Sequence, residues 1–328
     1  MRALQFHQFG DSAKVLSIEN VPVPEIKSDE LLVKMHLSPI HTHNRMRVEG
    51  VYGGKVEFPA CAGSEALGIV VKVGSNVKDF QEGDKVACGA CAGTWAEFFA
   101  VPSRKAWRVP DGMKDELAAQ ISEMPLSAWL LCDFLEKTAG LSKGDWFLQN
   151  AAGGTVGQML SVFAGDRGFK GLSFVRDKEK AEALSQKGIK VVCTQDSYWK
   201  ADVKKILGTS KAKIVIDSVG GEAGADLLPF LDEEGQFVIF GNLTGKPLSV
   251  PAGDFIFSDR ILRGFWAAPL KEKLQGEARE AVLKRLASYM REGRIHLPVS
   301  KIYPLEEIEE AIRESRMAGR EGKVLLTC

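Results

Sequence analysis

The chain has no surplus of charge. Its 328 residues set 43 Lys and Arg against 43 Asp and Glu. A field of one sign, which would draw a protein to nucleic acid or an anionic membrane, is therefore missing. No apolar run approaches the ~18 residues that a spanning helix needs, so neither nucleic acid nor membrane is an expected partner. Tyrosine and histidine are scarce, with four and five residues. Cysteine is neither dense nor regularly spaced: Cys61, Cys88, Cys91, Cys132, Cys193 and Cys328 are scattered. Such usage excludes a small disulfide-stapled fold and suits a reducing compartment. The opening "MRALQFHQFG" reads as a strand rather than a signal peptide. A cytoplasmic location is expected, with a removed organellar transit peptide left open. Internal repeats and low-complexity tracts are also missing.

What is present is apolar material for two cores, 45% of residues. The first 110 or so residues are punctuated by Gly and Pro. Runs such as "DELLVKMHLSPI" and "ALGIVVKVG" are strand patterns, so a compact, barrel-like β domain is expected. Beyond residue 112, "MKDELAAQISEMPLSAWLLCDFLEKTA" has helical spacing, with Pro125 expected to break or kink it. Strands and helices then alternate. "DWFLQN", "GLSFVRD", "KVVCTQ", "KIVIDSVGG" and "QFVIFGN" are strands, and "TVGQMLSVFAGDRG", "KEKAEALSQKG" and "EAGADLLPFLDEEG" are helices. This rhythm predicts an α/β fold: a doubly wound parallel sheet over residues 119–294, beside a β-rich domain of residues 1–118 plus 295–328.

A glycine-rich turn follows the strand "DWFLQN". In "AAGGTVGQ", Ala152, Gly154 and Gly157 form a variant of the dinucleotide fingerprint. Ala152 would permit the tight turn, Gly154 close approach to a pyrophosphate, and Gly157 close helix–strand packing. Gly153, Thr155 and Val156 belong to the same turn, and the helix N-terminus offers free N–H groups. The second strand ends "SFVRDK". Arg176 and Lys178 suit a 2′-phosphate and hence NADPH, whereas Asp177 could hold the ribose hydroxyls of NADH. The guanidinium favours NADPH.

Two smaller constellations need weighing. "CGAC", residues 88–91, is a C-x-x-C set among Gly and Ala in an expected loop with no second Cys pair, so packing thiols are expected. "SPIHTHNRMRVEGVYGG" holds His41, His43, Asn44 and Tyr52. On a strand the two histidines would share one face. A catalytic zinc needs three protein ligands and an open position, so no metal is expected here.

Motif order along the whole chain resembles the medium-chain dehydrogenase/reductase superfamily. The segments that carry the resemblance are "FPACAGSEALGIVVKVGSNVKDFQEGDKV", "GTWAEF", "MPLSAW" and "QNAAGGTVGQ". It implies a Rossmann cofactor domain and a GroES-like catalytic domain, with the active site in the cleft between them and dimerisation through the cofactor domains. The chain resembles the zinc-free branch: Gly63-Ser64-Glu65 stands where the zinc enzymes carry Gly-His-Glu, and there is no room for their structural-zinc lobe between Lys85 and Gly93. Two subfamilies are similar, the 2-enoyl thioester reductases of fatty-acid metabolism and the NADPH:quinone oxidoreductases. "EGVYGG", "FVRDK", "NLTGKPLSVP" and "ILRGFWAAPL" resemble the thioester branch more. The resemblance implies that Gly153–Val156, Arg176, Asp177, Lys178, Phe240, Gly241, Asn242, Leu243, Phe265, Trp266, Ala267 and Lys323 line the cofactor, and that Tyr52 is catalytic.

The implied chemistry is a hydride delivered to Cβ of a conjugated alkene and a proton to Cα. A tyrosine hydroxyl is protonated at neutral pH and can donate. The chain departs from the thioester reductases, which carry Asn-Pro at His41-Thr42 and Asn-Pro-Leu at Met124-Pro125-Leu126. Met124 cannot donate a hydrogen bond, so either Ser127, Asn44 or His43 assists Tyr52 or the substrate differs. Reduction of an enoyl thioester is the leading expectation. Quinone reduction is the second, and a non-catalytic NADPH-binding protein on the same fold the third. A small-molecule substrate and a homodimer complete the expectations.

Overall fold

The computed structural model describes residues 1–317 and 319–328. In chain order the elements begin with β1 (Arg2–Phe6), β2 (Ser17–Asn20), β3 (Glu30–Pro39), α1 (Thr42–Val48), β4 (Ala60–Cys61), β5 (Ala66–Val73), β6 (Lys85–Cys88), β7 (Phe98–Pro102), β8 (Ala106–Arg108) and α2 (Asp115–Ala118). They continue with α3 (Met124–Lys137), β9 (Trp146–Gln149), α4 (Thr155–Asp166), β10 (Lys170–Val175), α5 (Lys178–Gln186), β11 (Val191–Cys193), α6 (Trp199–Leu207), β12 (Ala212–Asp217), α7 (Gly221–Ala225), β13 (Leu231–Ile239), α8 (Gly253–Ile256), β14 (Ile261–Gly264) and α9 (Ala267–Lys273). The last are α10 (Gly276–Arg291), β15 (Val299–Pro304), α11 (Ile308–Arg316) and β16 (Lys323–Thr327).

The chain divides into two units, Met1–Leu126 with Glu272–Cys328, and Ser127–Lys271. The expected boundaries at 118/119 and 294/295 therefore move at both ends. The reason lies in polar ties within the first unit. Gln120 donates to the Leu297 carbonyl at 3.2 Å. On α10 the buried Arg279 donates to the Lys105 carbonyl at 3.0 Å, and Lys105 pairs with Glu272 at 2.5 Å. These bonds bring α10 to the β-rich unit.

In that unit one sheet runs β2-β1-β4, and the other runs β15-β16-β3-β5-β6-β8, with β7 also on β3. The chain's last strand, β16, lies antiparallel to β3, with Leu325 opposite Pro39. Leu4, Phe6, Leu31, Val33, Trp95, Phe99, Val324 and Leu326 fill the core, each large side chain worth ~1.5–3 kcal/mol. Gly68 is required on β5, because a Cβ there would lie 2.3 Å from the Lys34 carbonyl oxygen.

The second unit is a six-stranded parallel sheet in the order β11-β10-β9-β12-β13-β14. Its inner strands β9, β10 and β12 are largely buried and read as near-continuous apolar runs, as parallel sheets require. The chain moves outward from β9 to β11 and then returns to β12 on the other side of β9. The β9/β12 boundary is therefore the topological switch point, where ligands bind in such folds.

Two helix expectations change. The long helical run after residue 112 is two helices, α2 and α3. Pro125 sits in the first turn of α3, where its missing N–H leaves no bond unmade. "EAGADLLPFLDEEG" holds most of the short α7 and a single 3-10 turn at Leu228–Phe230. Pro229 lies in that turn, and Leu231, two residues on, already pairs with Ala212 as the start of β13. Glu234, at φ 57°, marks the irregularity in that strand.

Candidate active site

The fingerprint turn lies between β9 and α4. Its left-handed residue is Ala151, at φ 50°, one position earlier than expected. Ala152 is buried and is instead the packing partner of Gly157, whose added Cβ would meet the Ala152 Cα at 2.7 Å. Only glycine allows that approach. Gly154 caps α4, and Thr155, Val156 and Gly157 form its first turn. Gln149 fixes the helix to the sheet by donating to the Gly157 carbonyl at 3.0 Å, Ser161 Oγ at 2.8 Å and Ser173 Oγ at 3.0 Å. Across the switch point, Asn150 donates to Asp217 Oδ1 at 2.5 Å and accepts from the Ser218 N–H at 2.7 Å.

The remaining predicted cofactor residues of this unit follow the C-terminal ends of neighbouring strands. Arg176, Asp177 and Lys178 follow β10, and Arg176 is exposed. Asp177 is the N-cap of α5 and accepts the Lys180 N–H at 3.0 Å. Its carboxylate is thus engaged in holding the helix, which weakens the case for NADH. Lys178 pairs with Asp196 at 2.8 Å. Phe240, Gly241, Asn242 and Leu243 follow β13, with the Phe240 N–H donating to the Asp217 carbonyl at 2.7 Å. Phe265, Trp266 and Ala267 follow β14; Phe265 is buried against Phe240, with ring centroids 5.8 Å apart, whereas Trp266 is exposed. The sheet therefore gathers the fingerprint turn, Arg176–Lys178, Phe240–Leu243 and Phe265–Ala267 along one edge. Small residues, an open helix N-terminus and an exposed guanidinium fit a dinucleotide phosphate there. Ser127 is buried on α3 in this same unit.

The first unit holds the histidines and Tyr52. His41 and His43 are not on a strand. His41 is the N-cap of α1 and His43 lies in its first turn, and their rings stack at 5.0 Å with 15° between planes. Asn44 accepts the His41 N–H on Oδ1 at 2.9 Å and donates from Nδ2 to Ser64 Oγ at 2.8 Å. His43 Nε2 lies 2.8 Å from the same hydroxyl. The Tyr52 N–H closes the loop behind α1 on the Met46 carbonyl at 3.2 Å, and its ring stands 5.6 Å from that of His43.

Sequence reasoning missed Glu65. It is buried, with Oε2 2.7 Å from His41 Nε2 and Oε1 accepting the N–H groups of Ser122 at 2.6 Å and Glu123 at 2.8 Å. The available signal was a charged residue two positions after Gly63 in an otherwise apolar strand approach. Lys323 begins β16, two positions before the Leu325–Pro39 pair, which sets it beside the entry to α1. Burial, then Arg320 and Arg45, push its ammonium down to about 8, with Glu65 opposing. The Nε groups of Arg45 and Arg320 are buried with no hydrogen-bond acceptor. A desolvated cationic rim of this kind attracts an anion.

Burial pushes the Cys88 thiol up to about 12 and the Cys91 thiol well above its ordinary range, so neither is a ready thiolate. Among the described residues no three His, Cys, Asp or Glu come together as a metal-holding group. The Ser64 hydroxyl is taken by Asn44 and His43, and His41 by Glu65. This donor set does not fit a catalytic zinc.

These features define a two-unit oxidoreductase with a dinucleotide-type sheet and a polar cluster around a tyrosine. Residues 27–111 match the alcohol dehydrogenase GroES-like domain and residues 188–326 the zinc-binding dehydrogenase model. The chain is 32% identical to the mitochondrial enoyl-[acyl-carrier-protein] reductase of Arabidopsis thaliana, over 99% of this chain and 88% of that protein. With the enzyme of the same name from Xenopus tropicalis it shares 30% identity over 96% and 92%. The Escherichia coli quinone oxidoreductase, solved with NADPH, superposes with a TM-score of 0.87 at 26% identity, covering 100% of each chain. The chain belongs to the medium-chain dehydrogenase/reductase superfamily, with enoyl reductases and quinone oxidoreductases among its relatives. Among the described residues no helix is long and apolar enough to cross a membrane.

Proposed function

We propose that the chain reduces the conjugated C=C of a 2-enoyl thioester, or a similarly activated alkene, with NADPH as cofactor and Tyr52 as proton donor. The observation that carries this reading is the setting of Tyr52: a half-buried phenol held behind α1 against His43, in a cluster of hydrogen-bonding side chains. When bound, NADPH supplies the hydride for Cβ. Arg176 meets its 2′-phosphate, since Asp177 is engaged as a helix cap. The first turn of α4 meets the pyrophosphate, and Phe240–Leu243 and Phe265–Ala267 continue the cofactor's edge. Lys323, desolvated and cationic, faces an anionic part of the bound molecules. Asn44 orients Ser64 and His43 around Tyr52. Ser127, buried on the second unit's α3, assists the substrate.

A quinone is the second substrate reading. It is favoured by Met124, which offers no hydrogen bond to a thioester, and by the likeness to the Escherichia coli enzyme. The chain also forms a homodimer in our reading. β14 is an edge strand of the parallel sheet, and its Ile261 and Leu262 are exposed, as are Ile256 and Phe257 just before it. The free cysteines suit a reducing compartment, and we place the protein in the cytoplasm.

The test is cofactor oxidation with crotonyl-CoA, trans-2-decenoyl-CoA and a naphthoquinone, for wild type and Tyr52→Phe. Loss of a general acid costs ~10²–10⁴ in rate, and a fall of that size in enoyl turnover is expected. Quinone turnover that survives the mutation, with no enoyl turnover in wild type, overturns the thioester reading.

A further inference from the structure

Beyond the donor itself, the proposed reaction has a second requirement. Each turnover leaves Tyr52 as a tyrosinate, which must regain a proton before the next. The following rests on the enoyl reductase reading and concerns where that proton comes from.

Three rings form a ladder along α1 and the loop behind it. His41 stacks on His43 at 5.0 Å, and His43 faces Tyr52 at 5.6 Å with 35° between planes. The inner end is anchored. Glu65 accepts two backbone N–H groups on Oε1 and lies 2.7 Å from His41 on Oε2. Two backbone N–H groups and the His41 ring thus converge on one buried carboxylate, which fixes the inner ring in place. The outer ring is fixed separately. The Asn44 amide is oriented by the His41 N–H, so its Nδ2 end must donate to Ser64 Oγ, and that hydroxyl holds His43 Nε2 at 2.8 Å. His41 and Glu65 are 1% exposed, whereas His43 and Tyr52 are both half-buried and reach water.

We infer that His43 is the proton-transfer partner of Tyr52, returning to its oxygen the proton given to the substrate. Hydride addition at Cβ drives the π electrons onto the thioester oxygen. The Tyr52 O–H bond breaks as the Cα–H bond forms. An N–H bond of the His43 imidazolium then breaks as the phenol O–H re-forms, and neutral His43 regains a proton from water. The two electrons come from NADPH, which ends as NADP⁺. Charged groups in and beside this cluster include Glu65, Glu123, Arg45, Lys323 and Arg320, with the thiol of Cys91 also near Glu65.

The test uses full-length protein and crotonyl-CoA, comparing one turnover with many. In His43→Ala the first turnover of NADPH oxidation should lose less rate than the turnovers that follow it. The steady-state rate should fall about 10-fold or more, the lower range of acid–base contributions, and free imidazole should restore it. His43→Gln, which keeps a side-chain hydrogen bond to Ser64 but cannot carry a proton, should show the same slow steady state without rescue. An unchanged steady state in His43→Ala overturns the inference. So does loss of the first turnover together with the steady state, without imidazole rescue, because that marks a structural role. If His43→Ala does not fold, the same two phases in His43→Gln decide. No turnover of any enoyl thioester by the wild type would instead sink the substrate reading.

Discussion

Lys323 should cost the protein stability at neutral pH, and replacing it with methionine should return that stability. Burial and the neighbouring Arg320 and Arg45 bring its ammonium from an ordinary 10.5 down to about 8. At ~1.4 kcal/mol per tenfold change in proton affinity, this fall corresponds to about 3 kcal/mol. The unfolded chain holds the proton up to about pH 10.5, but the folded chain holds it only to about pH 8. Between those values unfolding takes up a proton, so stability rises with pH; below pH 8 both states are protonated and the full cost is present. Lys323→Met, with a side chain of similar length and no charge, should therefore melt higher than wild type at pH 7. At roughly 2–4 °C per kcal/mol for a unit of this size, the ceiling is ~6–12 °C. The gap should close as the pH is raised toward 10. Using the difference between the two proteins removes the titration of other Lys, Tyr and Cys residues. Saturating NADPH should narrow or invert the gap, because an anionic ligand favours the charged lysine. Thermal melts of both proteins across that range, with and without cofactor, make the measurement. A mutant that melts lower than wild type at pH 7, or a gap that does not shrink with pH, would refute the account of Lys323 as a desolvated cation kept for a ligand.

Two further outcomes follow from the cofactor edge. Gly157→Ala places a Cβ 2.7 Å from the Ala152 backbone; it should cost ~1–3 kcal/mol in a denaturant melt and weaken NADPH binding measured by fluorescence titration. Asp177→Ala removes the cap of α5 and should cost ~1 kcal/mol without raising the preference for NADPH over NADH; a marked rise in that preference would show that the carboxylate serves the ribose instead.

The features that a single chain segment determines were readable before the structure. The strand–turn–helix around Gly157 was legible because steric demands of a parallel sheet and a helix N-terminus fall on consecutive residues. The β-α rhythm behind it was legible for the same reason. Boundaries were less so: Gln120 and Arg279 tie α10 and the stretch before α3 to the β-rich unit through carbonyls of Leu297 and Lys105, distant partners that periodicity does not report. The turn at Ala151 was displaced by one residue, since sequence marks a glycine-like position but not which small residue takes the positive φ.

The histidines were the hardest part to read, and the reason is physical. A spacing of two fits one face of a strand, but His41 is an N-cap and His43 the second residue of a helix. Their meaning depends on Glu65 and Ser64, residues brought in from the start of another strand. An isolated buried carboxylate would be expensive, and an isolated buried imidazole would stay neutral. Together, with two backbone N–H groups on the carboxylate, they form a hydrogen-bonded anchor in the core beside the outer histidine and Tyr52. The departure from the family's asparagine at His41 is therefore tied to three other residues. A substitution that restored the asparagine alone would take the imidazole away from Glu65 and leave His43 without its stacking partner, so the four positions His41, His43, Ser64 and Glu65 are best altered, and tested, as a unit.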